Sequence, residues 1–368
     1  MTIHRLNRLY ELMKVHQLEA LAINPGPTLS YLTGLGFHLM ERPVVLLVAP
    51  PADPVLILPR LEMAKTSQAR FSVQAFPYGD NPESWLEAFR LGVKAAGLDG
   101  KTVGVEPTRL RFLELQFLRD AAPRTRWVGG EDVLSALRIQ KDEQEVNAMR
   151  IAVEIAQKAL LETIQKVRIG MTEREVAGEL TLQLLRAGSD GEFPFAPIVA
   201  SGPNSANPHA SPTDRKLQPG DLLVIDWGAT HAGYISDLTR TFAVGDVQEE
   251  FQRIAAIVER ANEAGRMAGM PGIPAGLVDA ASRAVIESTG YGEFFIHRTG
   301  HGIGMEGHEP PYIFGENSLI LAEGMAYTVE PGIYLPDRGG VRIEDNMVIT
   351  ANGSETLSSL PRQLLTIG

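Results

Sequence analysis

Five side chains able to bind a hard divalent cation, Asp226, Asp237, His301, Glu330 and Glu344, lie in the C-terminal part of this chain, each inside a short segment that reads as the end or middle of a β-strand. A fold that gathers them must bring hairpins to one point, and this constrains the architecture more than any bulk property. The apolar run LLVID ends at Asp226, and YISDLTRTF alternates so that Asp237, Thr239 and Thr241 share one face while Ser236, Leu238 and Arg240 share the other. Positions 226 and 237 are equidistant from the midpoint between His231 and Ala232. A symmetric hairpin would set the two aspartates opposite one another, with Cβ atoms about 4.5 to 5.5 Å apart. Glu330 and Glu344 are each seven residues from Asp337, and the intervening YLPDRGG is turn chemistry, so a second hairpin would face these glutamates together.

Four carboxylates held this close repel one another, each pair costing about 4 kcal/mol at about 4 Å with an effective dielectric near 20. Positive charge must sit between them. Arginine is the plain alternative, since Arg240, Arg298 and Arg342 are near in sequence, but arginines would leave His301 in TGHGIG without a role. Carboxylate-rich ligation with one imidazole and no thiolate suits Mn, Co, Fe or Mg better than a closed structural zinc site, and zinc is not excluded. Two bridged ions would activate a water for attack on a carbonyl, which makes hydrolysis the expected chemistry.

The composition agrees with a globular enzyme: 44% apolar and 21% charged residues over a length sufficient for two domains. Absence of cysteine excludes disulfides and thiolate chemistry and leaves a cytoplasmic location as the expectation. The start of the chain, MTIHRLNRLYELMKVHQLEALAI, has no uninterrupted apolar leader, and no stretch reads as a membrane span. A net charge of -11 disfavours nucleic acid as a partner. Alternating helical and strand patterns up to about residue 125 predict a small α/β domain, residues 1–128. Beyond it, helix pairs (a long helix with Val146, Met149, Val153, Ala156 and Leu160 on one stripe, then 172–187; later 249–268 and 275–288) flank mostly antiparallel strands. That pattern predicts an α+β domain over 129–368.

Several motif spellings lead nowhere. Gly302 to Gly307 matches a dinucleotide fingerprint, but HEPP follows where a helix must open; His301 and His308 are not in an H-E-x-x-H helix; and no G-x-S-x-G elbow occurs. His209 in NSANPHASP and His308 in GHEPP lie in loops, where beside a metal centre they would serve as donors to a tetrahedral intermediate. His297 fits either support of the site or a core hydrogen bond, and His231 reads as a turn residue.

The runs SGPNSANPHASP, GDLLVIDWGATHAGYISDLTRTFAVG, HRTGHGIGMEGHEPP and YTVEPGIYLPDRGGVRIEDNMVIT resemble the M24 metallopeptidases, in their proline-specific branch of prolidases and aminopeptidase P. The resemblance implies a pita-bread catalytic domain of two pseudo-symmetric halves around a dinuclear site, preceded by a creatinase-like N-terminal domain. It further implies that Asp226 holds one metal, Asp237 and Glu344 bridge, and His301 and Glu330 complete the other. Glu330 would also carry the proton of the attacking water. His308 and His209 would contact the scissile carbonyl, with His297 nearby and Arg342 supporting the bridging acid. Two divalent ions are implied, manganese first, with cobalt, zinc or iron as alternatives. The expected reaction is hydrolysis of Xaa-Pro peptides, as a dipeptidase ahead of an aminopeptidase P acting on longer chains, and in a homodimer. A non-catalytic module of the same shape is the remaining alternative. A dipeptidase needs a cation for its substrate's free carboxylate, for which Arg42 and Arg298 are the candidates.

Overall fold

The structure is a computed structural model and describes residues 2–368. The chain forms two compact units, up to Arg138 and from Ile139 onward. The expected boundary at 128/129 falls inside a strand of the first unit, and the helix after it packs there too.

In the first unit the order is α1 (Thr2–Val15), β1 (Ala20–Ile23), α2 (Pro27–Thr33), β2 (Val45–Val48), β3 (Val55–Pro59), β4 (Gln74–Tyr78), α3 (Trp85–Ala96), β5 (Thr102–Val105), α4 (Phe112–Ala121), β6 (Arg126–Gly129) and α5 (Glu131–Arg138). The strands make one mixed sheet, β4-β3-β2-β1-β5-β6. Its central strands ALAI, VLLV and VLILP are buried along their whole length, which is why they read as unbroken apolar runs rather than alternating ones. Phe89 and Val93 of α3 and Leu118 of α4 close one face over Ala22, Val45, Ile57 and Val103. Helix α5 packs on α1 through a stripe that buries Val133, Leu134 and Leu137.

The second unit contains α6 (Glu143–Ile164), α7 (Glu173–Ala187), β7 (Ile198–Ser201), β8 (Leu222–Trp227), β9 (Thr230–His231), β10 (Tyr234–Ile235), β11 (Leu238–Val244), α8 (Glu249–Ala268), α9 (Gly276–Glu287), β12 (Gly300–Gly302), β13 (Glu309–Ile313), β14 (Ala326–Val329), β15 (Gly332–Leu335), β16 (Gly339–Arg342), β17 (Asp345–Thr350), β18 (Gly353–Thr356) and β19 (Leu365–Ile367). Reciprocal capping boxes start α6 (Asp142 with Glu145) and α7 (Thr172 with Glu175). The pair α6 and α7 covers the sheet β19-β11-β8-β7, with Val153, Leu160 and Leu184 packed on Leu223, Ile225 and Phe242. The pair α8 and α9 covers the second half. There Ile254 and Val258 meet Ile333 and Val341, and Val278 shares a core with Tyr327, Val329 and Met347 of the sheet β13-β12-β14-β17-β18. One helix pair on one sheet thus occurs twice. Strand alternation does the rest: in each half the residues next to those facing the helices point to the opposite side. Among the described residues no helix is long and apolar enough to cross a membrane.

Candidate metal centre

The side of β8 away from its helices carries Asp226, since Leu223, Ile225 and Trp227 occupy the helix side. Its antiparallel partner is Thr239, and Leu238 faces Trp227, so Asp226 and Asp237 are not directly opposite. The symmetric register expected from sequence is therefore corrected by two residues. The cause is the turn: β9 and β10 pair His231 with Tyr234, leaving Ala232 (φ 51°) and Gly233 (φ 78°) as a two-residue turn with both angles positive. Moving the centre of a hairpin by one residue moves its register by two. Asp237 still shares the face of Thr239 and lies diagonal to Asp226, close enough for their carboxyl groups to interact. Its backbone is clasped by Asn346, whose amide oxygen accepts from Asp237 N–H and whose amide nitrogen donates to Asp237 C=O.

The second hairpin does centre on Asp337 (φ 58°), and its ladder runs from Leu335 opposite Gly339 through Gly332 opposite Arg342 to Val329 opposite Asp345. Glu330 and Glu344 are the opposed positions in the gap between the two paired stretches. Freed from each other's backbone there, Glu330 N–H donates to Thr299 C=O (2.8 Å) and Glu344 N–H to Thr239 C=O (3.1 Å). The latter bridge joins the two halves at the site. Thr239 adds its hydroxyl, which donates to Glu344 Oε2 at 2.7 Å.

His301 occupies the middle of β12 between Gly300 and Gly302. A Cβ at 300 would lie 1.9 Å from Thr328 O, and one at 302 would lie 2.3 Å from Glu309 O. Only glycine fits on either side of His301, which explains the spelling TGHGIG. The ring Nδ1 donates to Gly302 C=O (3.1 Å), so the lone pair is on Nε2. That lone pair looks at carboxylates: Glu330 Oε1 at 3.3 Å and Asp237 Oδ2 at 3.7 Å. Ligand atoms of Asp237, His301 and Glu344 all lie within 4.8 Å of one another.

Electrostatically the cluster lacks its counter-charge. Burial, and then the neighbouring acids Glu344, Asp226 and Glu330, hold the Asp237 carboxyl well above the usual range. Burial followed by Glu330 and Asp226 does the same to Glu344, and burial pushes Glu330 up to about 7 and raises Asp226 against the pull of Arg342. His301 is pushed down to about 3, first by burial and then by His308, so protonated imidazole does not supply the charge. Of the three arginines weighed against a metal, only Arg342 reaches the set: it donates to Asp226 Oδ2 (2.6 Å), while Arg240 turns to Asp345 (2.8 Å) and Arg298 to His308 (3.4 Å). Asp226 Oδ1 remains buried without a hydrogen-bond partner. Donor atoms bound to one ion at about 2.0 to 2.2 Å sit roughly 3 to 4 Å apart, so the spacing, the orphaned oxygen and the Nε2 lone pair directed at the acids all fit divalent cations among these residues.

Around this cluster, Arg342 also donates from Nε to Thr239 Oγ1 (3.1 Å) and from Nη1 to Tyr334 OH (3.0 Å) and Pro208 C=O (3.2 Å). Arg342 thus reaches Glu344 only through Thr239, and through Pro208 it ties down the loop that carries the exposed His209. Tyr334 OH donates to His297 Nε2 (2.9 Å) and His297 Nδ1 donates to Arg298 C=O (2.7 Å). Both nitrogens of His297 are thereby engaged, and burial lowers it to about 4. The His308 ring lies tilted against that of His301, at 42° with ring centroids 3.9 Å apart. Arg42, in the first unit, pairs with Asp80 (3.2 Å) and Glu41 (3.6 Å). Sequence reasoning did not single out Thr328, Tyr334 or Asn346. The one available signal is the strand alternation that puts Thr239 on the face of Asp237.

Residues 147–351 match the model of metallopeptidase family M24, and residues 5–140 match the creatinase/prolidase N-terminal domain. The chain belongs to metallopeptidase family M24. Among M24 relatives, the Xaa-Pro dipeptidase of Lactobacillus helveticus is 36% identical over 92% of this chain and 92% of its own. A solved prolidase from Thermococcus sibiricus superposes with a TM-score of 0.94 at 35% identity, covering 100% of this chain and 99% of that one. A solved X-Pro aminopeptidase from Thermotoga maritima gives 0.86 at 31% identity, over 98% and 99%. The second unit is therefore the M24 pita-bread domain, the first its creatinase-like companion, and the protein a metal-dependent peptidase.

Proposed function

We propose that this M24 enzyme is an Xaa-Pro dipeptidase whose two divalent ions, manganese first, are held by Asp226, Asp237, His301, Glu330 and Glu344. The convergence of these side chains within a few ångströms carries the reading, and full-length similarity to Xaa-Pro dipeptidases supports the choice of substrate. Bound ions would supply the charge that lowers the pKa of a water and polarises the peptide carbonyl.

The protein's own groups do the rest. Glu330 has Oε1 against Thr328 OH and His301, which leaves Oε2 to take the proton of the water and pass it to the departing proline nitrogen. Arginine can only donate, so His308 accepts from Arg298 at Nδ1 and carries its proton on Nε2. Burial and the nearby Arg298 and His209 lower its pKa, so His308 is a neutral donor for the developing oxyanion, with His209 beside it. His297 keeps Tyr334 and Arg298 in place.

The test is hydrolysis of Ala-Pro by chelator-stripped protein before and after Mn or Co is restored. Activity that returns with metal is expected, and none on any Xaa-Pro substrate with any metal overturns the reading. The likeness to the T. maritima enzyme favours one competitor, an X-Pro aminopeptidase. Faster cleavage of Ala-Pro-Ala than of Ala-Pro would select it. We place the enzyme in the cytoplasm on its lack of cysteine, and as a homodimer, which sedimentation tests.

A further inference from the structure

Glu173, the first residue of α7, is a fully buried acid that the chemistry above does not use. Its charge is met by hydrogen-bond donors rather than by a guanidinium, since Arg215 nearby closes on Asp221 instead (2.6 Å). The two carboxylate oxygens face the two ends of one loop. Oε1 accepts from Ser201 N–H (2.7 Å) and Ser201 Oγ (2.8 Å), where β7 ends. Oε2 accepts from Thr213 N–H (2.9 Å) and Thr213 Oγ1 (2.6 Å), where the chain returns. The Asn204 amide nitrogen donates to both oxygens (3.0 and 3.1 Å). Burial works against the ionised form, yet the donors of Thr213 and Ser201 hold the carboxyl below its usual value.

Between these ends the loop carries the exposed His209. Its outgoing limb is fixed by the sheet, because Ser201 pairs with Leu223 and Ile198 with Asp226 itself. The returning limb runs along the start of α7, where Arg174 N–H donates to Thr213 C=O (3.2 Å) and Glu173 N–H to Arg215 C=O (3.0 Å). The Glu173 side chain ties the two limbs together at the neck. From it a chain of bonds leads to the histidine: Asn207 N–H donates to Asn204 C=O (3.0 Å), and His209 N–H donates to Asn207 Oδ1 (3.1 Å). A second set joins the loop to β16, with Gly340 N–H on Ser205 Oγ (2.9 Å) and Arg342 Nη1 on Pro208 C=O (3.2 Å). An exposed imidazole on a loop has many positions open to it, and a donor to an oxyanion works in few of them.

We propose that Glu173 is a positioning residue for the hydrolysis: by closing the neck of the 201–213 loop, its carboxylate sets where His209 stands at the reaction site. This rests on the donor role given to His209 above. The supporting contact lies behind the group it serves, so its loss misplaces the imidazole without touching the acid cluster.

The experiment is a double-mutant cycle on Mn-loaded protein with Ala-Pro as substrate. It measures kcat, KM and bound Mn per chain for wild type, E173Q, T213V, H209A, E173Q/H209A and T213V/H209A. E173Q sets an amide –NH2 against donors that need an acceptor and is expected to lower kcat by about 10- to 100-fold. T213V removes one hydroxyl donor and keeps the carboxylate, and a loss of about 3- to 10-fold is expected. Bound Mn should stay at the wild-type level in both, because none of the four acids and the imidazole of the cluster lies on the loop. In the H209A background each substitution should change kcat by less than about twofold. A loss just as large without His209 means that Glu173 serves the fold alone and overturns the proposal, as does full activity of E173Q. Should E173Q fail to fold, the T213V pair decides by the same comparison. H209A as active as wild type removes the donor role of His209 and this inference with it. Wild type inactive on every Xaa-Pro substrate is a separate result, and it removes the peptidase reading as well.

Discussion

Glu344 and Asp345 are consecutive residues, the first in the gap just before strand β17 and the second at its start, both almost fully buried at 2% and 0% exposure, and they live in opposite electrostatic worlds. Alternation points Asp345 to the helix side, where Arg240 (2.8 Å), Arg362 (2.7 Å) and Ser358 (2.6 Å) donate to it, and even against burial these partners hold it down to about 2. Glu344, on the other side, receives one hydroxyl from Thr239 and is held well above the usual range. The fold has arginines to spare for one acid and withholds them from the next. Burial alone does not mark a functional acid. Burial without an organic counter-ion, beside other acids in the same state, marks a place kept for metal. The two sets are also joined: Arg240 donates to the carbonyls of Thr239 (2.8 Å) and Glu344 (2.7 Å), so the arginine-rich layer fixes the backbone of the arginine-poor one.

Substitutions on the two sides should therefore fail differently. Glu330→Gln removes the proposed proton carrier and should cost about 10³-fold in kcat with the fold intact by circular dichroism. Glu344→Gln should lower both activity and bound metal per chain, measured by elemental analysis. Asp345→Asn leaves buried arginines unpaired and should cost about 3 to 5 kcal/mol in denaturant unfolding, while whatever remains folded still binds metal. Equal metal loss in the Glu344 and Asp345 variants would erase the contrast.

Removing metal sharpens it through pH. Glu330 has its pKa raised from 4.5 to about 7 in the fold, so the folded state holds that proton more tightly. Its contribution to stability is full below about pH 4.5 and disappears as pH climbs through about 7. Asp345 is lowered from 3.8 to about 2, so its contribution is full above about pH 4 and disappears as pH falls through about 2. Stripped protein should melt at a lower temperature at pH 8 than at pH 6, and metal-loaded protein should not show this loss. The smallest effect is expected from Thr239→Val, which takes one hydroxyl from Glu344 and one acceptor from Arg342 and should reduce kcat/KM by about 3- to 10-fold.

The donor types and the hairpin symmetry about Asp337 were legible because both are fixed by residue chemistry and by counting. The first hairpin was misplaced because Ala232, a residue that seldom takes positive φ, fills half of its turn, and no composition rule favours it there over His231. Thr328, Tyr334 and Asn346 stayed invisible because a hydroxyl or amide acquires its task only when tertiary packing supplies the partner. Strand β6 and helix α5 lie about the expected boundary at 128/129, where Pro123, Gly129 and Gly130 interrupt the periodicity, although Val133, Leu134 and Leu137 carry helical spacing.

Anomalous diffraction from crystals of the Mn-loaded protein tests the central claim most directly. Two peaks roughly 3.5 to 4 Å apart among Asp226, Asp237, His301, Glu330 and Glu344 are the expected result. Saturated crystals with no peak among these five side chains would contradict it.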